Sequence, residues 1–188
     1  MTRDYVVVLD ACVLVSAGLR DTLLRLAETP RLYLPRWSTD ILNETTRTLK
    51  NKLGKTDAQA AHLREQLQLA FPEALVNGYK EIESGLTNHL KDRHVLAAAI
   101  RSGAQAIVTF NLKHFPPEAL KGFELEAVHP DEFLVNQFHL DDALVTKKLA
   151  EQARAINRSI EQQLRAFHQT RSLPLFVQAV AAALSITL

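Results

Sequence analysis

Two short runs of apolar residues, each followed at once by a polar side chain, predict strands that are buried on both faces. Residues 5–9 read Tyr-Val-Val-Val-Leu and precede Asp10, and residues 106–110 read Ala-Ile-Val-Thr-Phe and precede Asn111. Such runs are typical of parallel sheets, in which ligands bind beyond the carboxyl ends of the strands. Asp10 is therefore a candidate site residue, although it could equally cap the next helix or open a turn.

Helical patterns lie between these runs and position two further acids. Residues 39–53 follow Ser38, a typical helix N-cap, and within them Glu44 borders the apolar side. Residues 92–100 are almost all apolar after the first turn and predict a buried helix that starts at Asp92.

The alternation of short strands and helices as far as residue 136 predicts an α/β domain, a three-layer α/β/α sandwich with a mostly parallel central sheet. A second strand is expected at residues 32–34, closed by Pro35. From 137 to 188 only helical patterns remain, and we expect a C-terminal helical extension. One long amphipathic helix is predicted there by apolar residues at spacings of four and three. This stripe consists of Val145, Leu149, Ala153, Ile156, Ile160, Leu164 and Phe167.

The composition is that of an ordinary globular protein, 47% hydrophobic and 23% charged, with a formal net charge of +1 over 188 residues. No global positive field attracts a polyanion, so nucleic acid would have to bind a local patch or metal ions. One side of the predicted long helix carries four cations: Lys147, Arg154, Arg158 and Arg165. These cations form either a solvated face or a contact surface for RNA or an acidic partner.

The single cysteine, Cys12, excludes an internal disulfide framework and a thiolate zinc cluster. It follows the first strand, but no base partner is evident, and we interpret it as a small buried thiol. Residues 1–4 lack the pattern of a secretory signal, and no apolar run is long enough to span a bilayer. We therefore expect a cytoplasmic protein that does not bind a membrane.

The positions of Asp10, Glu44 and Asp92 combine into one possible chemistry. Hard divalent cations such as Mg²⁺ and Mn²⁺ bind a few carboxylates. An isolated buried carboxylate is costly, so three that converge would need a cation between them. In phosphodiester cleavage such ions activate water and stabilise the leaving oxygen. Each acid also has an ordinary interpretation: Asp10 as a turn former, Glu44 as a solvated helix residue and Asp92 as a helix cap.

Several segments, in this order, resemble the PIN domain, and more narrowly the VapC-type toxin ribonucleases of bacterial toxin–antitoxin pairs. They are Val-Val-Leu-Asp-Ala-Cys-Val-Leu (7–14), Pro-Arg-Trp-Ser (35–38) with Glu44 after it, Lys-Asp-Arg-His-Val-Leu-Ala-Ala-Ala-Ile (91–100), Ile-Val-Thr-Phe-Asn-Leu-Lys-His-Phe-Pro (107–116) and His-Pro-Asp-Glu-Phe-Leu (129–134). The resemblance covers residues 5–136, and the C-terminal helices resemble the extension of a VapC subgroup.

The resemblance implies an α/β/α sandwich that cleaves RNA with Mg²⁺ or Mn²⁺. It assigns metal binding to Asp10, Glu44 and Asp92, with Asn111 where many members have a fourth Asp. It also implies a cognate antitoxin as a protein partner and a homodimer as the assembly.

Other polar residues near the acids are candidates for supporting roles. Ser16 and Thr109 lie near the strand ends and could orient water at the metal, and His94 lies beside the acid cluster. Two departures from close relatives reduce the negative charge: residues 88–91 replace an acid-rich run, and His114 replaces an Asp. Since the fourth acid position is neutral as well, we expect one metal to bind and a second to bind only weakly.

These observations leave two main functions open. The first is a metal-dependent endoribonuclease, the toxin of a toxin–antitoxin pair. The second is a catalytically weakened PIN-like domain that binds RNA or protein. A phosphatase with a strand-end Asp as nucleophile ranks third, because that chemistry usually needs a second acid two residues on, where Cys12 stands.

Overall fold

The central feature of the fold is one parallel β-sheet. A computed structural model describes residues 4–188, and residues 1–3, the start of the N-terminal segment considered above, lie outside the described residues. The strands are β1 (Val6–Leu9), β2 (Leu34–Ser38), β3 (Leu75–Val76), β4 (Ala106–Val108) and β5 (Glu126–Val128). Their order is β3-β2-β1-β4-β5, and every pairing is parallel. The predicted α/β fold with a mostly parallel central sheet is confirmed.

The helices fall into two compact units. The first unit, residues 4–16 and 33–128, contains the sheet. Its helices are α1 (Ala11–Val15), α3 (Thr39–Leu53), α4 (Asp57–Ala70), α5 (Lys80–Glu83), α6 (Arg93–Ser102) and α7 (Pro117–Leu120). The second unit, residues 17–32 and 129–188, is helical. Its helices are α2 (Ala17–Ala27), α8 (Pro130–Leu140), α9 (Asp142–Ala155), α10 (Ile160–Thr170) and α11 (Pro174–Ala183). The domain boundary expected at residue 136 stays a prediction.

The pairing of β1 with β4 positions the candidate site. Val7, Val8 and Leu9 of β1 are fully buried, as their apolar run predicted. Leu9 pairs with Val108, the last residue of β4, so the two strands end at the same edge of the sheet. The residues that follow them therefore lie next to each other at this edge.

The second strand is longer than the sequence predicted. Both the start at residue 32 and the end before Pro35 were wrong, because β2 runs from Leu34 to Ser38. The Leu34 N–H donates to the Tyr5 carbonyl at 2.8 Å on the β1 side, so the nitrogen of Pro35 faces the opposite neighbour. That neighbour, β3, begins to pair only at Trp37, so the missing N–H of Pro35 breaks no ladder hydrogen bond.

The prediction of one long helix in the C-terminal region was also wrong, because the chain turns between α9 and α10. Asn157 in this turn has a left-handed φ of 57°, and Ser159 caps α10 in a capping box with Gln162. Ile156, expected in the apolar stripe, is 52% exposed. Since Arg158 lies in the turn, the four cations do not share one side of a single helix.

The very apolar last helix is buried by its neighbours within the second unit. It packs against α8 and α10, and it buries Phe176, Val177, Val180 and Ala181. Between residues 4 and 188, none of the helices has the length and apolar character that crossing a membrane requires.

Candidate metal centre

Asp10 follows β1 at the edge of the sheet, and only 2% of this residue is exposed. Its Oδ1 accepts a hydrogen bond from the Ala11 N–H at 2.6 Å, at the start of α1. Its Oδ2 accepts hydrogen bonds from Thr109 Oγ1 at 2.7 Å and from Cys12 Sγ at 3.2 Å. Asp10 therefore caps α1 through Oδ1, as one interpretation predicted, whereas its Oδ2 is held by two side chains.

The electrostatic environment of Asp10 favours a nearby cation. Burial raises the pKa of Asp10, and the negative charge of Asp92 raises it further. The hydrogen bonds from Thr109 and Cys12 lower the pKa but do not cancel this rise. A buried carboxylate beside a second acid is stabilised in its charged form by a cation, so Asp10 suits a cation-binding position.

Cys12 is a structural thiol in this arrangement. Its Sγ accepts a hydrogen bond from the Phe110 N–H at 3.3 Å and lies 3.4 Å from Thr109 Oγ1. Burial, followed by the charge of Asp10, raises the pKa of Cys12 to about 12. The side chain therefore stays protonated at neutral pH and donates to Asp10, which leaves no thiolate to act as a nucleophile.

Thr109 connects the ends of the two central strands. Its side chain is fully buried, and its hydroxyl donates to Asp10 Oδ2 while it accepts a hydrogen bond from the Asn111 N–H at 2.9 Å. The hydroxyl thus fixes the orientation of the Asp10 carboxylate through direct contact.

Replacing Thr109 by Val is expected to lower the free energy of unfolding by roughly 1.5–3 kcal/mol, because the hydrogen bond to the charged Asp10 is lost from a buried position and the Asn111 N–H loses its acceptor. Urea titration of the full chain measures this change. Thr45→Val is the matched control, since Thr45 is also buried but donates to the neutral carbonyl of Ile41 at 2.9 Å. A loss no larger in Thr109→Val than in Thr45→Val would show that the bond to Asp10 carries no charge-assisted stabilisation.

Asp92 ends the short 3₁₀ turn Leu90–Asp92 and directly precedes α6, and it is 6% exposed. Asp92 occupies the N-cap position of α6, as one interpretation of the sequence had it, but its side chain makes no hydrogen bond to the backbone of this helix. Its Oδ2 instead closely contacts Nδ1 of His114, which ends the 3₁₀ turn Leu112–His114. The candidate supporting residue His114 is thus a direct partner of Asp92.

His89 stacks on His114, an arrangement that the sequence did not predict. The ring centroids are 4.1 Å apart and the ring planes differ by 13°. The backbone N–H of His89 also donates to the backbone carbonyl of His114 at 3.1 Å. His89, Asp92 and His114 could each offer a ligand atom within 4.8 Å of the others. However, imidazole lone pairs lie in the ring plane, so two nearly parallel rings cannot both point at one ion. In this geometry a metal ion at the cluster could bind Asp92 and only one of the two imidazoles.

Glu44, on α3, is the third acid of the site. Its Oε2 lies 3.7 Å from Nε2 of His94 on α6. This His94 nitrogen is buried and has no hydrogen-bond partner in the described chain. Burial raises the pKa of Glu44, the charges of Asp10 and Asp92 raise it further, and His94 and Arg47 oppose them. The pKa of Glu44 therefore responds to both of the other acids.

Two candidate residues have weaker links to the acids. Asn111 contributes its backbone N–H to Thr109 and is partly exposed. Ser16 is exposed at the C-terminal end of α1, and no hydrogen bond joins its side chain to the acids within residues 4–188. Their predicted roles at a metal stay predictions.

The donor set suits a hard divalent cation. It contains the carboxylates of Asp10, Glu44 and Asp92, and carboxylate oxygens are preferred ligands of Mg²⁺. Asp10 and Asp92 are buried acids that would repel each other in their charged forms. A cation between the acids would remove this repulsion, and the residues present therefore fit such an ion.

Comparison with known proteins identifies the family to which this architecture belongs. The family model described as "PIN domain" matches residues 6–113, which is more than half of the chain. The "Putative ribonuclease VapC50" of Mycobacterium tuberculosis (strain ATCC 25618 / H37Rv) is 54% identical to this chain over 67 residues. That match covers 36% of this chain and 40% of the relative, so the shared region spans less than half of either protein. The family match, together with the parallel sheet, shows that this chain belongs to the PIN-domain family and confirms its VapC-type resemblance.

Proposed function

We propose that this protein is a metal-dependent endoribonuclease and the toxin of a toxin–antitoxin pair. The observation that carries the proposal is the buried Asp10 carboxylate. Burial raises the pKa of Asp10 and of Glu44, and the charges of neighbouring acids raise both further. The similarity to a protein named as a ribonuclease of the VapC type supports RNA as the substrate. On the same ground we propose a cognate antitoxin as the protein partner.

In this proposal Asp10, Glu44 and Asp92 hold Mg²⁺ or Mn²⁺, and Asn111 lies close enough in sequence to Thr109 to contribute. When bound, the cation lowers the pKa of water and stabilises the charge that develops on the phosphate oxygens. The protein's own residues fix the carboxylates: the Thr109 hydroxyl holds Asp10, and His114 contacts Asp92. His94, 3.7 Å from Glu44, is placed to orient that carboxylate.

Incubation of the purified protein with single-stranded RNA tests the function. We expect internal cleavage in the presence of Mn²⁺ or Mg²⁺, and none after the metal is removed with a chelator. Cleavage that continues in excess chelator would contradict metal dependence, and intact RNA under all metal conditions would contradict the nuclease.

The contact of His114 with Asp92 favours a second candidate function, a weakened PIN-like domain that binds RNA or protein. An imidazole that occupies Oδ2 of Asp92 competes with a cation for the same oxygen. In that case the protein would bind RNA but cleave it slowly, and the rate would respond to substitution of His114.

His114→Asp is expected to tighten Mn²⁺ binding by at least about fivefold, since one added negative charge within about 4 Å is worth about 1 kcal/mol even at the dielectric constant of water. Asn111→Asp should act in the same direction. Isothermal titration calorimetry with Mn²⁺ measures both. His62→Asp, an exposed substitution on α4, is the matched control. Unchanged or weaker affinity in both site variants would place residues 111 and 114 outside the surroundings of the metal.

We also propose that the full chain is a homodimer, as the VapC-type resemblance implies. Three large apolar side chains of the second unit are more than half exposed: Leu140, Ile156 and Leu175. A second copy of the chain could cover such side chains. Light scattering on the full chain should give twice the mass of one chain, and the mass of a single chain would contradict the dimer.

A further inference from the structure

A cleft of about 670 Å³ in the first unit lies beside Glu44. One wall is formed by α3, from Asp40 to Lys52, and the other by Lys91 and His94. Along α3, Arg47 follows Glu44 by three positions and Asn51 follows Arg47 by four, so the three side chains share one face of the helix. The stretch from Glu44 to Lys52 rises about 12 Å along the helix axis. The cleft therefore extends away from one of the proposed metal ligands.

Three exposed cations line this cleft, namely Arg47, Lys52 and Lys91. Within residues 4–188, none of them forms an ion pair. In contrast, Lys50 on the same helix is paired with Asp57. The three cations can therefore bind an external anion without first breaking an ion pair.

Neither acid of the cleft, Asp40 or Glu44, forms an ion pair with these cations, although the charge of Arg47 acts on Glu44. Asp40 accepts a hydrogen bond from the Tyr79 hydroxyl at 2.8 Å and lies 3.4 Å from Nζ of Lys80. Burial acts to raise the pKa of Asp40, but the Tyr79 hydrogen bond and the Lys80 charge outweigh burial and lower it. The charge of Asp40 is thus already balanced by Lys80. Glu44 is assigned to the metal.

We propose that this cleft binds the phosphodiester backbone of a single RNA strand and leads it to the acids. The proposal rests on the proposed nuclease function and names the residues that hold its substrate. Because the net charge of the chain is only +1, RNA binding requires such a local patch. Cations on both walls can contact one strand from two sides. Asn43, Thr48 and Asn51, also in the cleft, supply hydrogen bonds to phosphates and 2′-hydroxyls.

Fluorescence anisotropy with a short labelled oligouridine tests the cleft. All proteins carry Asp10→Asn, so that the probe stays intact. The cleft variant combines Arg47→Ala, Lys52→Ala and Lys91→Ala. The control variant combines Lys50→Ala, Lys55→Ala and Lys121→Ala, three exposed lysines outside the cleft. Both variants lose three positive charges, so their net charges are equal.

The cleft variant should bind the probe at least about tenfold more weakly at low salt. The slope of the logarithm of the association constant against the logarithm of the salt concentration should fall in magnitude by about 2. Each lost phosphate contact to a single strand removes about 0.7 from this slope, and three contacts are lost. The control variant should keep most of the affinity and slope. Equal losses in the two variants, or no loss in either, would overturn the proposal. Lys52→Arg and Lys91→Arg should retain the affinity, because the charge is kept.

Cleavage by the unsubstituted protein separates this proposal from the nuclease itself. If that protein cleaves RNA with Mn²⁺ while the cleft and control variants bind alike, the cleft assignment fails and the nuclease stands. If it neither binds nor cleaves RNA, both fail.

Discussion

Asp10→Asn is expected to reduce Mn²⁺-dependent RNA cleavage by about 10³-fold or more. The substitution keeps the shape of the side chain but removes the negative charge that would hold the cation. A bound metal ion contributes several kcal/mol of charge stabilisation, and each 1.4 kcal/mol corresponds to a factor of ten in rate. The measurement is the initial rate of cleavage of a labelled single-stranded RNA at saturating Mn²⁺.

The stability of the same variant shows whether the loss arises at the metal or in the fold. Asn can accept hydrogen bonds with only one of the two terminal atoms that accept them in Asp10, so Asp10→Asn loses at least one of the bonds from Ala11, Cys12 and Thr109. Its unfolding temperature in chelator is therefore the baseline from which the effect of the metal is measured. Mn²⁺ should raise the unfolding temperature of the unsubstituted protein and not that of Asp10→Asn. Asp57→Asn, an exposed substitution on α4, should behave as the unsubstituted protein. Full cleavage by Asp10→Asn would refute the site.

Asp131→Ala is expected to lower the free energy of unfolding of the second unit by roughly 2–4 kcal/mol. Asp131 is buried on α8, with 4% exposed. It accepts hydrogen bonds from the N–H groups of Leu175 at 3.0 Å and Phe176 at 2.8 Å, in the first turn of α11. These N–H groups have no partner within their own helix. Leaving a buried donor unpaired costs about 1–3 kcal/mol.

Asp141→Ala is the matched control for this prediction. Asp141 also caps a helix, but it is exposed and accepts one hydrogen bond, from the Leu144 N–H at 2.8 Å. Its loss should cost about 1 kcal/mol. Urea unfolding of the full chain measures both variants. Equal losses would show that the two bonds from Asp131 to α11 add nothing beyond an ordinary cap.

The sequence predicted those parts of the fold in which local pattern and burial agree. The apolar run before Asp10 contains β1, the run before Asn111 contains β4 and extends two residues beyond it, and Ser38 caps α3 as expected. Such elements are predictable because a strand buried on both faces has no polar positions. The carboxyl end of β1 follows directly from its run, and therefore so does the position of Asp10.

The errors have identifiable physical causes. Pro35 usually ends a strand, but here the neighbouring strand begins two residues later, at Trp37, and this depends on tertiary pairing. The apolar spacing of three and four continues across the turn between α9 and α10, so periodicity alone indicated one helix. The capping box of Ser159 and Gln162 was the local signal that could have revealed the break.

The contacts of the candidate site were the least predictable part. His89 and His114 are far apart in sequence, and no local pattern relates their rings to each other or to Asp92. Thr109 was a candidate for orienting water, but its hydroxyl bonds directly to Asp10 because β1 and β4 end in register. Pairing between strands, which the residues alone do not specify, determines this contact.

Anomalous X-ray scattering from crystals soaked in Mn²⁺ tests most directly whether the three acids share one cation. We predict an anomalous peak in contact with carboxylate oxygens of Asp10, Glu44 and Asp92. Absence of a peak there at saturating Mn²⁺, or a peak in contact with Asp92 and one imidazole but with neither Asp10 nor Glu44, would contradict this prediction.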